Sequence, residues 1–329
     1  MTKRVTLRQR IEALLDEQER SVQRSFEQYL RKIRDREILE QVADLLEQNR
    51  VREALDLLAS QENDLRQALF ALLTAAAAFE VAIWRARTPR RRALIIFDPA
   101  GDEMLETFRE SAGLFSQQMR ETNRNTLQTV LQRINRGELS RTGLRDLLER
   151  NVGLQRDDLL ANENYRRLLE RGSLAALERA ARDPRFDERV TEARDKPLTQ
   201  RQIDVMVNRY ARNQARNRGR RIARTMATRL SSQARRIAFT QVLGQMGVSS
   251  GLATHTWFSQ RDARVRRTHS HVSLDGQTQP LNQPFVSISG ARLRYPGDPA
   301  APPNEVINCR CYEVFRIRNN ALGAPASRQ

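Results

Sequence analysis

Residues 1–88 contain neither glycine nor proline, the two residues that most strongly punctuate helices. Within that stretch Leu7, Ile11, Leu14, Val22, Phe26, Leu30 and Ile33 recur at spacings of three, four and eight, which places them along one side of a 3.6-residue helix. The pattern predicts a long amphipathic helix at the start, a second over residues 38–58 and a third, more apolar one over residues 65–84. The alanine run 75–78 in that third helix has the highest helix propensity available. Together they predict a helical hairpin or bundle. The longest apolar stretch, residues 69–84, is interrupted by Glu80 and shorter than a membrane span, and the polar start of the chain is unlike a signal peptide. No membrane is expected as a partner.

The pattern breaks at residues 89–101, which predict a loop or one short strand. Helical periodicity returns over residues 105–134, 142–151, 157–171, 174–182, 199–217 and 221–246, with Pro184 and Pro197 bracketing a polar connector. After Gly251 it disappears, and seven of the eleven prolines lie between Pro280 and Pro325. Extended runs at residues 254–258, 285–288 and 306–314 predict a small sheet packed on a helix. The expected fold class is therefore mainly α, with a long-helix N-terminal and central region followed by a small α+β C-terminal module. The expected divisions are residues 1–88 (helical hairpin or bundle), 89–250 (helical, arginine-rich), 251–318 (the α+β module) and 319–329 (a disordered tail).

The formal charge is +17 and comes almost wholly from arginine, which forks onto phosphates and carboxylates. Between Asp204 and Asp262 there is no acidic residue, and eleven arginines fall inside. On a helix from Thr199, Arg209, Arg212, Arg216 and Arg220 form one stripe with Arg218 and Arg221 beside it, although Gly219 stands where it could interrupt the helix. An acid-free stripe repels itself and calls for a counter-surface. Double-stranded DNA fits, with contacts that are sequence-independent and weakened by salt. An acidic protein surface fits the same chemistry. Few aromatics interleave the stripe, which argues against stacking on single strands. The candidate DNA-binding set is Arg209, Arg212, Arg216, Arg218, Arg220, Arg221, Arg224, Arg229, Arg235 and Arg236.

All three histidines (His255, His269 and His271) and both cysteines (Cys309 and Cys311) sit in the last module. His-x-His and Cys-x-Cys on strands each place a pair on one face, so His269, His271, Cys309 and Cys311 are candidates for a tetrahedral zinc site. The competing reading makes the cysteines small buried residues on a strand around residues 308–312 and the histidines part of a polar loop. A bridge between Cys309 and Cys311 would be strained, and two cysteines fit a reducing compartment such as a bacterial cytoplasm. Asp262, Asp275, Asp298 and Glu305 share the module and could be acid, base or magnesium ligand, though Asp275-Gly276 and Pro296-Gly297-Asp298-Pro299 also read as turns. No nucleophile with a positioned base can be assembled.

In the same module Trp257, Asp262-Ala263-Arg264-Val265-Arg266, a histidine, Leu274-Asp275-Gly276, Tyr295-Pro296-Gly297-Asp298-Pro299 and Asn308-Cys309-Arg310-Cys311 follow one another. Their order and spacing resemble the phage Mu F-like head morphogenesis family of minor head proteins. Upstream, Val152-Gly153-Leu154, Asn164-Tyr165-Arg166, Leu198-Thr199 and Arg221-Ile222-Ala223-Arg224-Thr225 are similar to the same family, so the resemblance covers about residues 140 to 316. Two departures stand out. Met226 occupies the place of a usual glutamate, and the usual single histidine is split between His269 and His271. The resemblance implies a low-copy virion protein inside the capsid near the portal vertex, assembled in the host cytoplasm, acting in head morphogenesis and DNA packaging or ejection. Its implied partners are the portal protein, a major capsid or scaffolding protein, and double-stranded DNA. No cofactor is expected, the zinc that the His/Cys cluster could hold structurally aside. The alternative is a metal-dependent hydrolase or genome-delivered effector using the His/Cys cluster.

Overall fold

Apolar residues at helical spacing produce long helices throughout the first three quarters of the chain. The computed structural model describes residues 5–88, 95–99, 101–260 and 271–318. Its helices are α1 (Leu7–Ile33), α2 (Arg36–Glu47), α3 (Val51–Ala59), α4 (Asn63–Arg87), α5 (Asp102–Asn135), α6 (Arg141–Asn151), α7 (Arg156–Glu170), α8 (Asp187–Glu192), α9 (Gln200–Gln245) and α10 (Pro303–Val306). The strands are β1 (Ala253–Phe258), β2 (Thr278–Pro280), β3 (Phe285–Val286), β4 (Arg292–Leu293) and β5 (Tyr312–Ile317). The fold is mainly α with a small α+β module at the C-terminal end, as the periodicity predicts.

Four local predictions need correction. The helix expected over residues 38–58 is two helices. Asn49 takes φ 58°, and the N–H groups of Asn49 and Arg50 turn back onto the carbonyls of Leu46 and Leu45 at 2.9 and 2.7 Å. Asparagine tolerates this left-handed cap better than most residues. Conversely, the two helices expected on either side of Gly219 are one helix, α9. A Cβ at Gly219 would lie 2.8 Å from Cδ1 of Phe26, so this glycine admits a close aromatic neighbour and does not end the helix. The helix expected over residues 174–182 is a 3₁₀ turn, Leu174–Glu178. The strand expected over residues 306–314 is the end of α10, a turn and only then β5. Residues 95–99 contain no strand.

Contacts gather into two compact units, neither of them a continuous stretch. One comprises Met1–Arg24, Arg66–Ala112 and Arg221–Gln329, the other Ser25–Leu65 and Gly113–Arg220. The chain is thus not divided into successive blocks. Helices α1, α4, α5 and α9 each contribute residues to both units, because helices of 25 to 46 residues reach about 37 to 69 Å at 1.5 Å per residue.

In the second of these units, Tyr165, Leu169, Ile203, Met206, Val207 and Tyr210 form a buried cluster, with the Tyr165 and Tyr210 rings stacked at 4.3 Å. In the first, β1 is the centre of a three-stranded antiparallel sheet ordered β2-β1-β5, paired along its length with β5 from Ala253↔Ile317 to Phe258↔Tyr312. Strands β3 and β4 form a separate hairpin, Phe285 opposite Leu293. Phe239 of α9 stacks on Trp84 of α4 and on Phe315 of β5 at 5.0 and 4.7 Å. The helical run Val51–Arg87 is, against expectation, long and apolar enough to cross a membrane by length and composition, but half of its most apolar window is buried inside the protein. Leu69, Leu72, Leu73, Ala76 and Ala77 are core residues.

Candidate metal centre

The two cysteines are not on a strand. Pro302 and Pro303 start the single turn of α10, and Asn308 then takes φ 62°, which reverses the chain and turns Cys309 and Cys311 inward together. Both are buried. His271 opens a 3₁₀ turn, His271–Leu274, and points at the same spot. Its Nδ1 lies 3.5 Å from Cys309 Sγ and 3.6 Å from Cys311 Sγ. The second expected histidine, His269, lies outside the described residues. His255 is elsewhere: on β1 it pairs with Glu313 at 2.7 Å and with the Gln283 carbonyl at 3.0 Å.

The opposite nitrogen of His271, Nε2, lies 2.8 Å from Glu305 Oε2. With Nε2 turned to the carboxylate, Nδ1 is the ring nitrogen that faces the two sulfurs. Glu305 is itself held by the hydroxyls of Ser289 at 2.5 Å and Ser287 at 3.4 Å. Trp257, fully buried on β1, sets the edge of its ring against His271. Its indole N–H is buried without a hydrogen-bond partner.

Titration is shifted throughout the cluster. The Cys309 thiol is held well below its ordinary range, first by its hydrogen bond with Cys311 and then by His271, against the opposing effect of burial. Burial and the neighbouring Cys309 charge push the Cys311 thiol up. For His271, burial lowers the pKa, but the contacts with Cys309 and Glu305 outweigh it and leave it raised. A thiolate beside an imidazole also describes a nucleophile and its base. Here Cys309 is 3% and His271 4% exposed, and the three ligand atoms lie close enough together to hold a metal ion.

Gly276 donates to the Trp257 carbonyl at 2.8 Å, and Asp275 accepts from the Ser259 amide at 2.8 Å. Gly297, at φ 81°, rests on α9, where an added Cβ would meet the Arg229 backbone at 2.9 Å. Pro296 beside it is buried. Asp298 closes its turn through the Arg294 amide and guanidinium and the Ala300 amide at 2.7 to 3.0 Å. Arg310 donates to Gln260. Asn308 joins α9 twice, accepting from Arg224 at 2.7 Å and donating to Thr225 Oγ1 at 2.9 Å, while Thr228 donates to the Cys309 carbonyl at 2.7 Å. Asp262, Arg264 and Arg266 lie outside the described residues.

Of the ten arginines, two are buried and four half-buried with partners inside the protein, which corrects the expectation of a ten-residue DNA-binding face. Arg235 is buried and paired through Nε and Nη2 with Glu80 at 2.9 and 2.7 Å, and Glu80 also accepts from the Trp84 indole. Arg218 is buried against the Gly153 carbonyl and Thr122. Arg224 pairs with Glu19, Arg229 reaches the Gly297 carbonyl, and Arg236 holds the Leu281 carbonyl and Glu313. Arg209 meets Asp183. The acids missing from α9 come from other segments that pack on it. Arg212, Arg216, Arg220 and Arg221 remain exposed; Arg212 makes one loose surface pair with Glu149 at 3.5 Å. Sequence reasoning missed Glu80 as a partner. Its signal was a lone acid four residues before Trp84 in an apolar run. Compared with known protein families, with curated proteins and with solved structures, the chain matches none.

Proposed function

We propose that this chain is a non-enzymatic minor head protein of a tailed bacteriophage, bound to the portal and acting in head morphogenesis and DNA packaging or ejection. The observation that carries the reading is the joining of its motif segments. Trp257, Cys309 and Cys311 share one buried cluster, Gly276 donates to the Trp257 carbonyl, and Gly297 packs on α9 at Arg229. Arg224 and Thr225 of the upstream Ile-Ala-Arg-Thr segment bond directly to Asn308. Several of the described residues that carry the resemblance therefore contact one another in the fold, which supports reading them as one set.

Helices supply the protein-contact surface, and the exposed stripe Arg212, Arg216 and Arg220 is the surface for a polyanion such as packaged DNA. Solvent-inaccessible Cys309 and His271 disfavour the hydrolase reading, since a reacting group must reach its substrate. The test is co-expression with the portal protein encoded by the same genome, followed by size-exclusion chromatography and crosslinking mass spectrometry. A co-eluting complex with defined crosslinks is expected; two independent peaks at micromolar concentration would refute portal binding.

A further inference from the structure

We propose that His271 Nδ1 and the thiolates of Cys309 and Cys311 hold one zinc ion that staples the C-terminal module. This is independent of the portal reading and stands or falls separately from it.

The distances carry the inference. Zinc binds thiolate sulfur at about 2.3 Å and imidazole nitrogen at about 2.0–2.1 Å in a tetrahedron, which puts nitrogen and sulfur about 3.6 Å apart. The two Nδ1–Sγ distances are 3.5 and 3.6 Å, and all three ligand atoms lie within 4.8 Å of one another. The two nitrogen–sulfur distances match the spacing of ligands around a tetrahedral zinc ion.

The surroundings agree independently. Glu305 on Nε2 forms the carboxylate–histidine pairing that fixes the ring and tautomer of metal-bound imidazoles, and two serines fix Glu305 in turn. The Cys311 amide donates to Cys309 Sγ at 3.4 Å. The Trp257 indole N–H is fully buried without a hydrogen-bond partner. An N–H turned toward sulfur, as the Cys311 amide is, stabilises a negative thiolate, the form that binds metal. Two thiolates and one imidazole select zinc over the hard cations calcium and magnesium, which take oxygen ligands. A tetrahedral ion takes one further donor beyond these three. Because the triad is buried, the ion's role is to tie the turn at His271 to the turn at Asn308.

Metal content of the full-length chain, purified without chelator and dialysed, tests this by inductively coupled plasma mass spectrometry. About one zinc per chain is expected, lost in a Cys309→Ser/Cys311→Ser variant. Glu305→Gln should keep the stoichiometry at saturating zinc but bind about 10- to 100-fold more weakly in competition with a chromophoric chelator. Should the double variant not fold, cobalt substitution of the unaltered chain decides: a thiolate-to-cobalt charge-transfer band is expected. An unaltered chain that holds no zinc after reconstitution and gives no such band, or a double serine variant that keeps its zinc, would overturn the proposal.

Discussion

Glu80 and Arg235, each 2% exposed, form a buried pair completed by the Trp84 indole. Desolvating two charges offsets most of their attraction, whereas removing one partner strands the other. Arg235→Met is therefore expected to destabilise by about 3–5 kcal/mol, and Glu80→Met/Arg235→Met to recover most of that loss in urea unfolding. Two glycines make a matched contrast. Both Gly276 and Gly297 have positive φ, but a Cβ at Gly276 meets open space while one at Gly297 meets the Arg229 backbone at 2.9 Å. Gly276→Ala should cost about 1 kcal/mol from backbone strain alone, and Gly297→Ala about 2–4 kcal/mol from strain plus the clash. Equal costs would contradict this. For Asp298, burial raises the carboxyl pKa, but hydrogen bonds from Arg294 and Ala300 outweigh it and hold it below the ordinary value. A folded pKa below the unfolded one gives stability that is present above about pH 4 and is lost as pH falls through the folded value. The deficit of Asp298→Asn should accordingly be largest near neutrality and shrink in acid, as chemical unfolding across pH would reveal.

Among elements, what was legible in the sequence followed from periodicity. The spacing from Leu7 to Ile33 marks α1 because only an amphipathic helix buries those residues together. The turns were less legible. Asn49 breaks a continuous pattern through a left-handed cap, and Gly219 leaves α9 intact because the ring of Phe26, almost two hundred residues earlier, needs its missing Cβ. Neither fact is local. The Cys-x-Cys pair illustrates the same limit: residue types and spacing pointed to a ligand pair, but the left-handed Asn308 brings them to His271, not strand alternation. The arginine block reads as an open polyanion face only while its acids are sought nearby; Glu19, Glu80 and Asp183 come from other segments. This separation predicts unequal effects on DNA binding. Reversing Arg212, Arg216 and Arg220 to glutamate should abolish double-stranded DNA binding in a fluorescence anisotropy titration and flatten its salt dependence by about 0.9 per lost phosphate contact. Arg224→Gln should lower stability while leaving the salt slope unchanged. Unchanged affinity in the triple reversal would remove DNA from the account.

For the whole molecule, the fold class was legible and the division of the chain was not. Glycine, proline and composition change along the sequence, so they suggest successive blocks. Packing follows space, and long helices each serve two cores. The order of motif segments could likewise be read, but their mutual bonding through Thr225, Arg224 and Asn308 appears only once the chain is folded. The proposal that this protein belongs to a phage head is most directly tested where such a protein would end up. Particles produced from the encoding genome should be purified on a density gradient and their proteins quantified by mass spectrometry. This chain is expected in DNA-filled heads at a fixed, low copy number beside the portal protein; its absence from purified particles would contradict the proposal.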